Sequence, residues 1–283
     1  MAKEVVVTLF DVSSGDDTPP LSDIIETFQA LPLEERWRAD IRLDDIHKPK
    51  TLERVYFLDF ARKREIGPGK LTEDRPIDDI DMEENENFGE ETAAMYVGKK
   101  KWLLVLNNAV GVGPNRMMSY FNAVDPGNQM WDFNAEPVLE AHTMRTLSRM
   151  DRISTVEVTA SVDALGIAGT ATSLALARAA RPAGAHRISF ELIANERRQR
   201  GRSLDVNAVK EMVGKLVRRQ AVTVLKVKGE DPDGERDIML DLIHHRLKQR
   251  YPDTELDVVN RRFTIQSRWR LLERAYRLWN NKL

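Results

Sequence analysis

Residues 186–229 read HRISFELIANERRQRGRSLDVNAVKEMVGKLVRRQAVTVLKVKG, and their patterning decides the fold. In HRISFELIAN, Ile188, Phe190 and Leu192 alternate with Ser189, Glu191 and Ile193, the period of two of a half-buried strand. ERRQRGR follows and places Arg197, Arg198, Arg200 and Arg202 within six residues. Ser203 is positioned to cap a new helix with its side-chain oxygen, with Asp205 complementing the dipole in the first turn. Val206, Val209, Val213, Leu216 and Val217 recur at helical spacing, and Arg218 and Arg219 fall in the last turn. AVTVLKVKG is a β-branched strand that places Lys226 and Lys228 on one side. The unit is strand, basic loop, amphipathic helix, strand. It holds a scaffold and concentrated positive charge, and no obvious catalytic group.

With 283 residues the chain is long enough for a sizeable core and for two domains. Charged residues at 31% and apolar residues at 42% are ordinary for a globular protein. No apolar run is long enough to span a membrane. MAKEVVVTLFDV has a short apolar run broken by Asp11 and no small-residue cleavage site, so it does not read as a signal peptide. The chain has no cysteine, which excludes disulfides, thiol nucleophiles and thiolate zinc sites and fits a reducing, cytoplasmic setting.

The net charge of −2 conceals an asymmetry. Residues 1–142 carry 16 Lys and Arg against 28 Asp and Glu, whereas residues 143–283 carry 27 against 17. The split suggests an acidic N-terminal α+β domain, 1–142, and a basic C-terminal α+β domain, 143–283, that binds a polyanion. The competing reading is that the two halves neutralise each other across an interface.

Outward from the central unit, KEVVVTLFDV reads as a buried strand, and Ser22 as the cap of a short helix ended by Pro32. A strand is expected around Ala39 to Leu43. TLERVYFLDFARKRE reads as another, with Val55, Phe57 and Asp59 facing opposite to Tyr56, Leu58 and Phe60. From Ile66 to Glu91 the chain is acidic and poor in apolar residues, the pattern of a long loop. Its carboxylates suit a hard cation in type but not in spacing, and they could instead mimic phosphates toward the basic half. Ala93–Val97 and Trp102–Leu106 form an expected hairpin, and Gly111, Gly113 and Pro114 turn the chain into a helix. G-V-G-P-N-R lacks both the third glycine of a dinucleotide fingerprint and the lysine and serine of a P-loop, so a tight turn is the better reading.

Phe133–Leu139 is an expected strand, followed by a helical turn ending near Met150. DRISTVEVTASVDALG gives a clear strand, and IAGTATSLALARAARPAG a packed helix or connector. DPDG turns into a further strand. HHRLKQRYPD is a second basic loop, and FTIQSRWRLLERAYRLWNNKL is a closing helix with Trp269, Leu272, Ala275, Tyr276 and Trp279 apolar and Arg268, Arg270, Arg274 and Arg277 on its other faces.

Catalytic signatures are missing from this pattern. The five histidines show no metal-ligand spacing, and no nucleophile elbow, kinase or ATPase motif occurs. No Glu-x-Lys or Asp-x-Lys tripeptide of the metal-nuclease kind is present. The reading is therefore non-enzymatic, with no catalytic residue, metal or cofactor assigned. The alternative is a metal-dependent nuclease drawing acids from Asp59, Glu157 or Glu191.

The positive case is electrostatic. Basic side chains beside a rigid sheet suit phosphate contact and supply affinity without base specificity. The candidates are Arg197, Arg198, Arg200, Arg202, Lys226, Lys228, Arg246, Lys248 and Arg250. No zinc finger, homeodomain, RRM or KH pattern specifies a base-reading mode.

Four stretches together carry a resemblance: LLVLNNAVGVGPNRMMSYF, EPVLEAHTMRTLSRMDRISTVEVTASVDALG, ISFELIANERRQRGRSLDVNAVKEMVGK and VLKVKGEDPDGERDIMLDLI. In their order and spacing, from about Trp102 onward, the chain resembles the RexA family of phage-encoded abortive-infection exclusion proteins. The resemblance implies a homodimer that binds double-stranded DNA nonspecifically and works with a membrane-protein partner in exclusion or antiphage defence. It maps the family's basic, strand-flanking segment onto Arg197–Arg202. The acidic insert at 72–91 departs from that pattern. The expectation is thus an α+β protein of mixed or antiparallel sheets with packed helices in two subdomains, cytoplasmic, binding DNA through its C-terminal half. A third reading is a protein-interaction subunit whose basic half docks an acidic partner.

Overall fold

The structure is a computed structural model that describes residues 4–70, 73, 76, 78–84, 86–123, 131–194, 203–217, 219, 221–232 and 237–283, with backbone alone at 167 and 168. In chain order the strands are β1 (Glu4–Ser14), β2 (Trp37–Arg38), β3 (Ile41–His47), β4 (Val55–Arg64), β5 (Phe88–Val97), β6 (Trp102–Leu106) and β7 (Phe133–Pro137). They continue with β8 (Ile153–Ser161), β9 (Arg187–Ile193), β10 (Val222–Glu230), β11 (Asp237–Asp241), β12 (Lys248–Pro252), β13 (Val258–Val259) and β14 (Arg262–Phe263). The helices are α1 (Leu21–Ala30), α2 (Pro114–Asn122), α3 (Ala141–Arg149), α4 (Val162–Ala168), α5 (Ala171–Ala180), α6 (Val206–Leu216) and α7 (Ile265–Asn280). The fold is α+β. Among the described residues no helix is long and apolar enough to cross a membrane.

The chain forms two compact units, residues 1–135 with 249–283 and residues 136–248. The division expected at 142 falls inside α3, and the last 35 residues cluster with the N-terminal segment instead of the basic half. Charge follows. The first unit carries 24 Lys and Arg against 30 Asp and Glu, and the second 19 against 15. The steep asymmetry of the sequence halves is therefore softened inside the first unit.

In the first unit the sheet runs β12-β1-β6-β5-β4-β3-β2, with β7 beside β1. The β1–β6, β5–β6, β4–β5, β3–β4 and β2–β3 ladders are antiparallel. The alternation in β4 determines both faces. Tyr56, Leu58 and Phe60 enter a core with Phe28 of α1 and Tyr120 and Phe121 of α2, where the Phe60 and Phe121 rings meet edge-on at 5.9 Å. Phe57 points the other way and stacks on Trp269 of α7 at 5.5 Å, as does His47. Leu271, Leu272, Ala275 and Trp279 bury the rest of that helix face. With both faces covered, β6 is buried at every position and reads as the unbroken apolar run WLLVL.

The second unit is a four-stranded sheet in the order β11-β10-β8-β9 with antiparallel ladders. Val156, Val158, Ala160, Leu225 and Val227 pack against Leu165 of α4 and Val209, Val213 and Leu216 of α6. Thr155, Glu157, Thr159, Lys226 and Lys228 occupy the opposite, open face.

Several local expectations change. Ser203 does not cap α6: Asp205 does, accepting the Ala208 amide at 3.0 Å, while the Ser203 hydroxyl accepts the Ile153 amide of β8. Asp205 sits immediately before the first helical residue, the position from which a side chain reaches the N3 amide. Ser22 likewise lies inside α1, whose N-cap is Pro20. The acidic stretch ends earlier than its composition suggests, because β5 begins at Phe88 and takes Glu90 and Glu91 into the sheet. The strand expected from Ala39 begins at Ile41, after Ala39 turns the chain with φ 53°; the stretch 151–166, read as a strand, ends its strand at Ser161, where α4 begins, and the small-residue stretch 167–184 holds the end of α4 and then α5.

Candidate nucleic-acid interface

Of the nine candidate cations, Arg197, Arg198, Arg200 and Arg202 lie outside the described residues. The other five are all engaged. Lys226 and Lys228 do share the open face of the second sheet, as the alternation of β10 requires. The register aligns Glu191, Glu157, Lys226 and Asp241 in one row across four strands, and Lys226 Nζ lies 3.2 Å from the Glu157 carboxylate. In the next row Lys228 stands between Thr155 and Met239, 3.9 Å from Asp237. Carboxylates at least equal cations here, so the face alternates in sign.

Arg246 has a structural role. Its half-buried guanidinium donates Nη2 to the carbonyls of Val217 at 3.3 Å, Arg219 at 3.0 Å and Val222 at 3.4 Å, tying the end of α6 to the start of β10. The Val217 and Arg219 carbonyls follow the last turn of α6, where a cation complements the helix dipole, and the Arg219 carbonyl also accepts the Val222 amide. Burial pushes the Arg246 pKa down to about 10. Its Nη2 donors are spent on these carbonyls, so the side chain acts as a structural clamp. Lys248 donates to the Ile243 carbonyl at 3.4 Å. Arg250 belongs to the first unit and pairs with Glu4 at 2.9 Å. Each cation of the second basic loop therefore has a partner of its own.

Sequence reasoning missed Arg178 in α5, Arg181 just after it, and Arg187 at the start of β9. Among the described residues none of the three has a carboxylate partner. Their signal lies in LALARAARPAGAHR, where two arginines three apart precede a third, but the alanines around them carry the stronger pattern, that of a helix. Because β9 ends the sheet order, these arginines mark one end of an edge strand. At its other end the chain leads from Ile193 into the segment containing Arg197, Arg198, Arg200 and Arg202.

The acids of the nuclease alternative fall in different units. Glu157 and Glu191 are directly opposed on β8 and β9, with Glu157 held by Lys226. Asp59 belongs to the first unit, where Arg268 Nη2 donates to its Oδ2 at 3.0 Å. Arg268 Nη1 also lies 3.4 Å from Glu91, and Glu91 is held in turn by Arg262. This cluster lines a cleft of about 280 Å³. Burial pushes the Asp59 carboxyl up to about 7, against the attraction of Arg268, and the nearby charges of Glu91 and Asp44 add to the rise. Among the described residues no three His, Asp or Glu side chains are grouped to hold a metal ion.

A search of curated proteins gives no match. A family model, described as a family of unknown function (DUF6731), matches residues 15–266 and so spans parts of both units. The chain belongs to that family.

Proposed function

We propose that the chain binds double-stranded DNA without base specificity along the β9 edge of the second unit. The observation that carries this reading is a set of arginines without a carboxylate partner among the described residues, Arg178, Arg181 and Arg187, at one end of an edge strand whose other end leads into Arg197, Arg198, Arg200 and Arg202. At about 3.3 Å per residue, the seven residues of β9 extend roughly 20 Å, a distance covering several phosphates. Lys226 and Lys228 play a secondary part because carboxylates already neutralise them. In keeping with the RexA resemblance, the proposed setting is cytoplasmic DNA sensing or signalling in phage exclusion, by a homodimer working with a membrane-protein partner.

The test is titration of labelled duplex at several salt concentrations. Contact with roughly four to eight phosphates gives a log–log slope of about −4 to −7. Absence of binding at low salt overturns the proposal. A second reading, strand addition by a protein partner, is favoured by the same unpaired edge and by Ile193, which is 61% exposed there. It predicts capture of an extended acidic peptide by protein that leaves duplex DNA unbound.

A further inference from the structure

A cavity of about 310 Å³ opens in the first unit beside the N-terminus of α1. Two cations line it, Arg54 from the turn before β4 and Lys101 from the turn before β6. Neither has an ion-pair or hydrogen-bond partner for its side chain among the described residues, and no carboxylate is in the lining. The helix end is uncapped: Pro20 occupies the N-cap, so no side chain accepts from the first amides of α1. The nearest acid on that helix, Asp23, takes the Ser22 hydroxyl.

Tyr96 supplies an independent observation. It lines the cavity from β5 and is only 4% exposed, yet its hydroxyl has no hydrogen-bond partner among the described residues. The ring is enclosed while the hydroxyl is left to donate to solvent or to a ligand in the cavity. Burial first, and then Tyr56 and Asp23, push its pKa up to about 12, so it remains a donor at neutral pH. The hydroxyl-bearing Ser14 and Thr18 complete the polar wall, while Leu21 and Phe133 form an apolar one.

We propose that this cavity binds a small phosphate-bearing molecule, with the phosphoryl oxygens held by Arg54, Lys101, the Tyr96 hydroxyl and the free amides of α1. Two cations, a helix N-terminus and a neutral donor suit a dianion with three acceptor oxygens better than a carboxylate with two. The volume lies at the lower end of small-ligand pockets, and the apolar wall leaves room for an organic substituent.

The test is isothermal titration of the full chain with inorganic phosphate and with phenyl phosphate. Saturable binding of both, tighter for the ester, is expected; equal affinity identifies free phosphate as the ligand and removes the ester from the proposal. Arg54→Gln and Lys101→Gln each weaken binding about tenfold or more, the loss of one charge-assisted hydrogen bond. Tyr96→Phe removes no protein contact, so it keeps the thermal midpoint and weakens binding severalfold. No saturable heat with either probe at millimolar concentration, or unchanged affinity in all three variants, overturns the proposal.

Discussion

The Arg268 guanidinium lies 3.0 Å from the Asp59 carboxylate, with both side chains more than nine-tenths buried, joining the basic C-terminal helix α7 to strand β4 of the acidic segment. Glu91 provides Arg268 with a second partner at 3.4 Å, so the arginine remains paired whether or not Asp59 is ionised. Isolated surface pairs contribute little, but a buried one constrains which segments belong together because leaving either partner alone is costly.

That geometry gives a pH dependence. The Asp59 carboxyl is raised from the ordinary 3.8 to about 7, so between those values the folded chain holds a proton that the unfolded chain has released. The stability it contributes is full at low pH and is lost as pH rises through the window, on the order of 4 kcal/mol if Asp59 acts alone. Asp59→Asn is expected to flatten the unfolding free energy between about pH 4 and 7, measured by denaturant titration. Parallel wild-type and variant profiles would contradict this account of Asp59.

Removing the other partner has the opposite character. Arg268→Gln leaves Asp59 and Glu91 close together without their cation, and about 3–5 kcal/mol of stability is expected to go. The loss should be greater at pH 8 than at pH 5, because the orphaned carboxylates are then more fully ionised. Equal losses at the two pH values would mean that α7 is held by its apolar face alone.

Arg246 offers a test of structural against binding roles. Arg246→Ala strips the carbonyls of Val217, Arg219 and Val222 of a shared donor. A cost of about 2–3 kcal/mol is expected, with unchanged DNA affinity at temperatures where the variant remains folded. A uniform fall in affinity without destabilisation would restore Arg246 to the binding set.

On the open sheet face, replacing Lys226 and Lys228 with Gln is expected to leave the salt slope of DNA binding within about one unit of wild type. Replacing Arg178, Arg181 and Arg187 with Gln should lower it by nearly three, since each phosphate that the protein neutralises adds about 0.9 to the slope. Salt-dependent titrations of the two variants side by side make the comparison.

Much of the fold is legible in the sequence because local patterns agree with burial. The alternation in β4, β8 and β9, the hairpin of β5 and β6 and the helical spacing of α6 and α7 are all present in the structure. What the sequence does not reveal depends on pairings between distant residues. Arg268 reads as one of four surface arginines, and only its position over β4 makes it the partner of Asp59, 209 residues away. Arg246 reads as part of a basic loop, whereas the backbone carbonyls that enclose it carry no side-chain signature. The charge of residues 143–283 reads as one field, yet Arg250, Arg262 and Arg268 return to Glu4, Glu91 and Asp59 in the first unit. For that stretch, mutual neutralisation is the better account of the charge split. The cavity lined by Tyr96 is invisible for the same reason, since several separate stretches assemble it.

The most direct measurement compares duplex affinity in two variants of equal charge loss. One replaces Arg197, Arg198 and Arg200 with Gln, and the other replaces Arg270, Arg274 and Arg277, in α7 of the first unit. With thermal midpoints checked, the account predicts that the first loses affinity at least tenfold and the second remains close to wild type. Equal losses would contradict it, because binding would then follow total charge and not the β9 edge.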